Sequence, residues 1–299
     1  VSALGGRLQV LWAGAIAVAV AVALLASSAG SGAFTIKPSH RPRFSHAAVL
    51  VLENRGYRVL HSRQAPYLRS LVSRYGLATD YFGVSHPSLP NYLALTGGNT
   101  FRISNDCSSC QTNGKSLFDQ LSAAGISWRA YFEGGLLPTH RIDPFLHYDR
   151  ATDGPLLTHS TGIAALRSDI ANRSLPRFSW IGLGLCHDGH SCRISVADRY
   201  LHSLIPGLLH ALGRHGVLFI TWDEGTTDAS THGASGGGGH VPLIVAGGAA
   251  RPHGRADGAL NHYGLLHEIE SSFGLPALRR AAGTPIGPVA RLLEPRRTA

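Results

Sequence analysis

The chain has 299 residues, 44% of them hydrophobic, with 27 Lys+Arg against 18 Asp+Glu and a formal charge of +9. That composition excludes a disordered or acidic solvating chain, and the length suffices for one large domain or two modest ones. Only Lys37 and Lys115 are lysines, and the arginines are scattered with no aromatic-interleaved basic stripe, so no nucleic-acid partner is expected. An anionic substrate or an anionic membrane surface is left to account for the charge.

Residues 1–33 read as a secretory signal. Arg7 precedes an apolar run over 10–26, and small residues follow up to a cleavage point after Ala33. The run is near the lower limit for spanning a bilayer, so an uncleaved membrane anchor is the alternative. Either way the protein is expected to be secreted or envelope-associated. Residues 34–44 form a Pro/Arg/His-rich linker, and 45–299 a single catalytic domain. Export agrees with the cysteines: Cys107 and Cys110 form a C-x-x-C, and Cys186 and Cys192 flank a His-rich pentapeptide. Two local disulfides are expected in an oxidising compartment, with a zinc site built from the same residues as the alternative.

Along the domain, 46–52 (HAAVLVL) is a continuous apolar run of strand length, and 65–75 has the pattern of an amphipathic helix. Residues 77–84 read as one strand. Ser85-His86-Pro87 is a turn, after which Ser88 is placed to cap a helix running through Thr96, with Pro90 in its first turn. Helices are predicted over 116–124, 162–171, 196–212 and 262–273, and strands over 127–132, 178–183, 217–222 (VLFITW) and 241–246. Residues 134–161 lack a period and read as a loop-rich excursion; the Gly-rich 233–239 reads as a flexible lid flanked by His232 and His240. Alternating short apolar strands and helices indicate an α/β protein with a mainly parallel central sheet.

In such sheets ligands bind at the carboxyl ends of the strands. Glu53-Asn54 ends the first strand, His86-Pro87-Ser88 follows the next, Cys186–Cys192 follows another, and Asp223-Glu224 ends VLFITW. Hard oxygen donors from Glu53, Asn54, Asp223 and Glu224 suit a divalent cation, leaving Ca, Mg, Mn and Zn open. Ser88 at a helix N-terminus lies where backbone N–H groups attract a phosphate-like anion, and a metal beside it would activate its hydroxyl. Asn91, three residues on, is positioned to turn toward the same anion as a neutral donor.

The motifs Glu53-Asn54-Arg55, Ala65-Pro66-Tyr67, His86-Pro87-Ser88-Leu89-Pro90-Asn91-Tyr92, Asp188-Gly189-His190, Thr221-Trp222-Asp223-Glu224 and His262-Tyr263 occur in one order. In that order they resemble the bacterial phosphoesterase family of secreted acid phosphatases and phospholipases C. Within it the chain resembles the actinobacterial phosphatidylinositol-3-phosphatase type. The resemblance implies an alkaline-phosphatase-like α/β/α sandwich and a metal-assisted nucleophile. It makes Ser88 the nucleophile and Glu53, Asn54, Asp223 and Glu224 the metal cradle, with Asp188 as a further ligand. It places His86, Asn91 and His190 around the phosphoryl oxygens and His262 in the same region; in the mechanism expected here His190 protonates the leaving alcohol. One position departs: Ile142 stands where the family commonly has a His, and that job is vacant or passes to His140 or Asp143.

The expected activity is hydrolysis of phosphate monoesters, phosphoinositides among them, through a phosphoserine. The expected partner is a phosphorylated small molecule or a phospholipid, at a membrane surface in the second case. The alternatives are a phospholipase C-type diesterase and a non-catalytic exported anion-binding or envelope adhesion domain.

Overall fold

The structure, a computed structural model, describes residues 43–134, 144–148, 158–227 and 237–294. The chain divides at Lys37/Pro38, and every described residue lies in the second unit, Pro38–Ala299. The segment read as a signal or anchor therefore lies outside the described residues, as do Ile142, His140, Asp143 and His232. Among the described residues no helix is long and apolar enough to cross a membrane.

The strands are β1 (His46–Leu52), β2 (Gly76–Ala78), β3 (Tyr81–Phe82), β4 (Trp128–Phe132), β5 (Ser160–Gly162), β6 (Phe178–Gly182), β7 (Gly216–Trp222), β8 (Leu243–Ala246), β9 (Arg255–Ala256) and β10 (Leu260–Asn261). The main helices are α1 (Pro66–Arg74), α2 (Ser88–Gly97), α3 (Leu117–Ala123), α4 (Ile163–Asn172), α5 (Ile194–Leu212) and α6 (His262–Phe273). Eight strands form one sheet in the order β5-β4-β6-β1-β7-β8-β2-β9, and β10 pairs with β3 separately. The sheet is parallel from β5 to β7; β8 runs antiparallel to both of its neighbours. Helices α1, α4 and α5 pack together in one layer and α2, α3 and α6 in the other, giving the expected α/β/α sandwich.

β1 and β7 lie at the centre of the sheet, which is why both read as apolar runs: with helices over each face, only His46 at the start of β1 is partly exposed. α1 is amphipathic and packs on α5 and over β8. Its first backbone N–H groups, on Tyr67 and Leu68, donate to the buried Asp198 carboxylate of α5 at 3.1 and 2.9 Å. α3 starts with a capping box in which Ser116 and Asp119 satisfy each other's backbone N–H groups.

The reading of 77–84 as one strand is corrected. The chain breaks at Thr79-Asp80, so that β2 joins the main sheet and β3 pairs with β10. Thr79 N donates to Ala256 O and Asp80 O accepts from Leu260 N, so segments far along the chain impose the break. The 134–161 excursion contains a short helical turn, Pro144–His147, and the edge strand β5. Both cysteine pairs are disulfides, Cys107–Cys110 and Cys186–Cys192, which removes the zinc alternative at these residues.

Candidate active site

Register brings the site together. Leu52 of β1 stands beside Trp222 of β7, and Asp223 N donates to Leu52 O, so Glu53-Asn54 and Asp223-Glu224 leave the sheet side by side. Glu53 N donates to Asp188 O, which ties the Cys186–Cys192 loop beyond β6 to the same edge. Asn54 adopts φ 54°, a left-handed conformation that Asn tolerates better than most residues. In that turn its backbone N–H reaches Asp223 Oδ1 at 3.0 Å and its side-chain amide reaches Glu53 Oε2 at 3.0 Å.

Ser88 faces this cluster from α2. Its hydroxyl donates to Glu53 Oε2 at 3.0 Å and lies 3.5 Å from Glu224 Oε1. Ser88 is the first helical residue, not the cap: Pro87 occupies the N-cap position, and the Ser88 side chain points at the carboxylates instead of back at the helix. The backbone N–H of Leu89 is taken by Asp106 Oδ1 at 2.9 Å, and Pro90 has none to offer. The helix N-terminus is thus less open to an anion than the sequence suggested.

Four histidine and amide assignments separate in the structure. His190 stays at the site, its backbone N–H on Asp188 Oδ1 at 2.8 Å and its Nδ1 near Ser191 Oγ at 3.0 Å. Its Nε2 has no hydrogen-bond partner among the described residues. His86 bridges Glu224 Oε2 (2.6 Å) and Thr227 O (3.2 Å), so both ring nitrogens face acceptors. Asn91 is corrected. Its Oδ1 accepts from Val84 N and Ser85 N, its amide donates to Ser85 O and Pro87 O, and nothing is left for a phosphoryl oxygen. His262 is corrected too. It is fully buried, Nε2 donating to Asp223 O and Nδ1 accepting from Tyr81 Oη at 2.8 Å, so it sits behind Asp223 and out of a substrate's reach. Burial lowers its pKa to about 4, in keeping with a neutral ring in that role.

The described end of the Gly-rich stretch is not a lid. A Cβ at Gly83 would fall 2.5 Å from Gly238 O, and Gly225 N donates to Gly238 O at 2.7 Å; three backbones meet there because none has a side chain.

Burial dominates the electrostatics. Glu53, Asp188 and Asp223 have no exposed surface and Glu224 has 4%. Desolvation raises all four carboxyl groups, Asp188 to about 7, and mutual repulsion adds to the rise at Asp188, Asp223 and Glu224. Asp188 Oδ2 and Asp223 Oδ2 are buried with no hydrogen-bond partner among the described residues. No group of three or more His, Cys, Asp or Glu among the described residues stands at the spacing of an assembled metal shell. The donor set still fits a divalent cation chemically: buried like charges with orphaned carboxylate oxygens need a positive partner to ionise together.

Three residues here have roles that the sequence did not assign, two of them, Tyr92 and Arg55, inside its motifs. Tyr92 donates to Glu53 Oε1 at 2.6 Å, and its place four residues after Ser88 on one helix face was the available signal. Arg55 ties the disulfide loop to the end of β1 by donating to Gly189 O (3.0 Å) and Cys192 O (3.2 Å). Asp106, the helix partner named above, carried no signal beyond its place beside Cys107.

A Mycobacterium tuberculosis protein named phosphatidylinositol-3-phosphatase is 27% identical over 82% of this chain and 82% of its own length. Penicillium chrysogenum phosphate-repressible acid phosphatase is 26% identical over 68% of the chain, and Aspergillus fumigatus acid phosphatase 25% over 71%; the matches span about half of each fungal protein (53% and 52%). Among solved structures, an alkaline phosphatase superfamily protein from Vibrio parahaemolyticus superposes with a TM-score of 0.61 at 14% identity, covering 83% of this chain and 71% of that one. Murine ectonucleotide pyrophosphatase/phosphodiesterase 5 gives 0.56 at 13%, covering 84% and 100%. These share the fold. The model of the Phosphoesterase family matches residues 45–276, and the chain belongs to that family.

Proposed function

We propose that the chain is an exported, metal-dependent phosphomonoesterase that acts through a phosphoserine. The observation that carries this reading is the Ser88 hydroxyl, buried and donating to Glu53 Oε2 at 3.0 Å inside a cradle of four buried carboxyl groups. Asp223, Glu224 and Asp188, with Glu53 and Asn54, would hold the metal. A divalent cation bound there supplies charge for the serine oxygen and for the phosphoryl oxygens.

The chain's own groups manage the protons. Glu53 orients the Ser88 hydroxyl and is placed to receive its proton as Oγ bonds to phosphorus. As the P–O bond to the leaving group breaks, His190 Nε2 gives that alcohol a proton; it then takes one from the water that attacks the phosphoserine, while the P–Oγ bond breaks and Glu53 returns its proton to Ser88. His86 fixes Glu224, Asn91 fixes the 84–87 turn, and His262 fixes the Asp223 backbone, each as a positioning residue. The mycobacterial and fungal relatives support monoesters as substrates, phosphoinositides included. The signal-like 1–33 segment and two disulfides support export.

The test is Ser88→Ala with two chromogenic substrates. Release of p-nitrophenol from its monophosphate should fall by about 10³-fold or more, with the circular dichroism spectrum and bound-metal content unchanged. Normal turnover by the variant overturns the nucleophile. Wild-type cleavage of the p-nitrophenyl phosphorylcholine ester in place of the monophosphate makes the protein a diesterase, and cleavage of neither makes it an anion-binding domain.

A further inference from the structure

Next to the His86–Glu224 pair lies a second, differently charged space. A cleft of about 530 Å³ is lined by Arg55, Tyr57, Arg58, Val59, Ile194 and Thr227, among others. None of the cradle residues lines it, but it adjoins the cradle through the segments that follow β1 and β7. Arg55 directly follows Asn54, Thr227 lies three residues past Glu224, and Thr227 O meets His86 Nε2, whose other nitrogen meets Glu224. The cleft opens where the segments leaving β1 and β7 diverge.

Its charge is the reverse of its neighbour's. Residues 54–79 contain five arginines, at 55, 58, 63, 69 and 74, and no Asp or Glu. Arg58 is exposed and has no carboxylate partner among the described residues. Arg55 spends its hydrogen bonds on the carbonyls of Gly189 and Cys192 and pairs with no carboxylate among the described residues. Between the guanidinium groups, Val59, Ile194 and the Tyr57 ring, stacked on His240 at 4.2 Å and 7°, make an apolar floor. The volume is in the range of small-molecule sites. A molecule spanning the two spaces would put one anion in the cradle, a carbon skeleton on the floor and another anion against the arginines.

We propose that this cleft is a specificity subsite for a second anionic group carried by the leaving alcohol, with Arg58 as the specificity-determining residue. The preferred substrates are then phosphomonoesters whose alcohol bears a further phosphate or phosphodiester, in the form of a polyol bisphosphate or of an inositol lipid headgroup. The inference rests on the phosphomonoesterase reading above.

Three substrates separate the possibilities for wild type, Arg58→Ala and Arg58→Lys. They are p-nitrophenyl phosphate, fructose 1,6-bisphosphate, and dibutanoyl phosphatidylinositol 3-phosphate kept monomeric in solution. In Arg58→Ala the KM for a doubly anionic substrate should rise about tenfold, the loss of one charge-assisted contact, with kcat within about twofold. The constants for p-nitrophenyl phosphate should not move, and Lys should restore part of the loss. A shift confined to the sugar bisphosphate or to the soluble lipid supports the subsite and names its source. Equal shifts on all three substrates, or no shift on either doubly anionic one, overturn it. So does an Arg58 effect that appears only on vesicles, which assigns the arginine to membrane attraction. Wild type that cleaves none of the three fails the underlying reading, and the subsite falls with it; wild type active on p-nitrophenyl phosphate isolates the subsite as the failed part.

Discussion

Tyr92 and Ser88 hold the two oxygens of one carboxylate. The Tyr92 hydroxyl donates to Glu53 Oε1 at 2.6 Å, while Ser88 and the Asn54 amide share Oε2. Three neutral donors thus fix the rotation of a side chain that has no exposed surface. Removing the tyrosine hydroxyl leaves Oε1 buried without its partner, raises the carboxyl group's reluctance to ionise and frees it to rotate away from Ser88. Tyr92→Phe should therefore lower kcat on p-nitrophenyl phosphate by about ten- to hundredfold, with KM within about threefold, since the phenyl ring still fills its place in α2. Steady-state rates check this. An unchanged kcat would show that Ser88 and Asn54 alone hold Glu53. At this scale the sequence disclosed which residue types converge, because carboxylates after all-apolar strands have few structural explanations. It did not disclose which way they point. Asn91 and His262 have the chemistry of phosphate ligands, but Asn91 is consumed by the backbone of the turn before its own helix, and His262 by the Asp223 carbonyl and the Tyr81 hydroxyl, which only the folded chain brings near it.

At the scale of elements, what was legible followed burial. β7 is buried along its whole length and β1 from Ala47 onward, and both stood out as apolar runs; α6 matched its periodicity from His262 to Phe273. The strands β9 and β10 have two residues each, too few to carry a period, and exist because Leu77 and Tyr81 present ladders for them. The N-terminus of α1 belongs to the same class of hidden feature. Its N–H groups are satisfied by Asp198, which follows Tyr67 by 131 residues and is 3% exposed. A carboxylate accepting two N–H groups at a helix start combines a cap with a favourable dipole interaction. Asp198→Ala should destabilise the fold by about 2–3 kcal/mol, because two buried donors lose their acceptor, and Asp198→Asn by less. Urea unfolding at neutral pH measures both. Equal stability of wild type and Asp198→Ala would mean that water replaces the carboxylate at that helix end.

Across the whole molecule the buried acids impose a pH dependence on stability. The four carboxyl groups of the site are raised by burial, and so is one far from it, Glu270 in α6. Glu270 Oε1 accepts from Leu278 N at 3.0 Å, while Oε2 is buried with no partner among the described residues. Burial raises its pKa from 4.5 to about 8, against the smaller opposing effect of the Leu278 N–H. The sign follows from proton counting. Below pH 4.5 the group is protonated whether the chain is folded or not, and its contribution to stability is fully present. Between 4.5 and about 8 the folded chain keeps the proton that the unfolded chain has lost, so stability falls as pH rises, by up to about 1.4 kcal/mol per pH unit. Above that range the folded state buries a carboxylate near the C-terminal end of a helix, where the dipole also disfavours it. Glu270→Gln keeps an oxygen for Leu278 N and removes the titration. The variant should match wild type near pH 4 and exceed it increasingly up to pH 8–9, by up to about 1.4 kcal/mol for each pH unit crossed. Chemical unfolding across this range gives the comparison, and taking the difference between the two proteins cancels the active-site carboxyl groups, which titrate in both. A gain that is the same at every pH would place the effect in packing and not in the Glu270 proton.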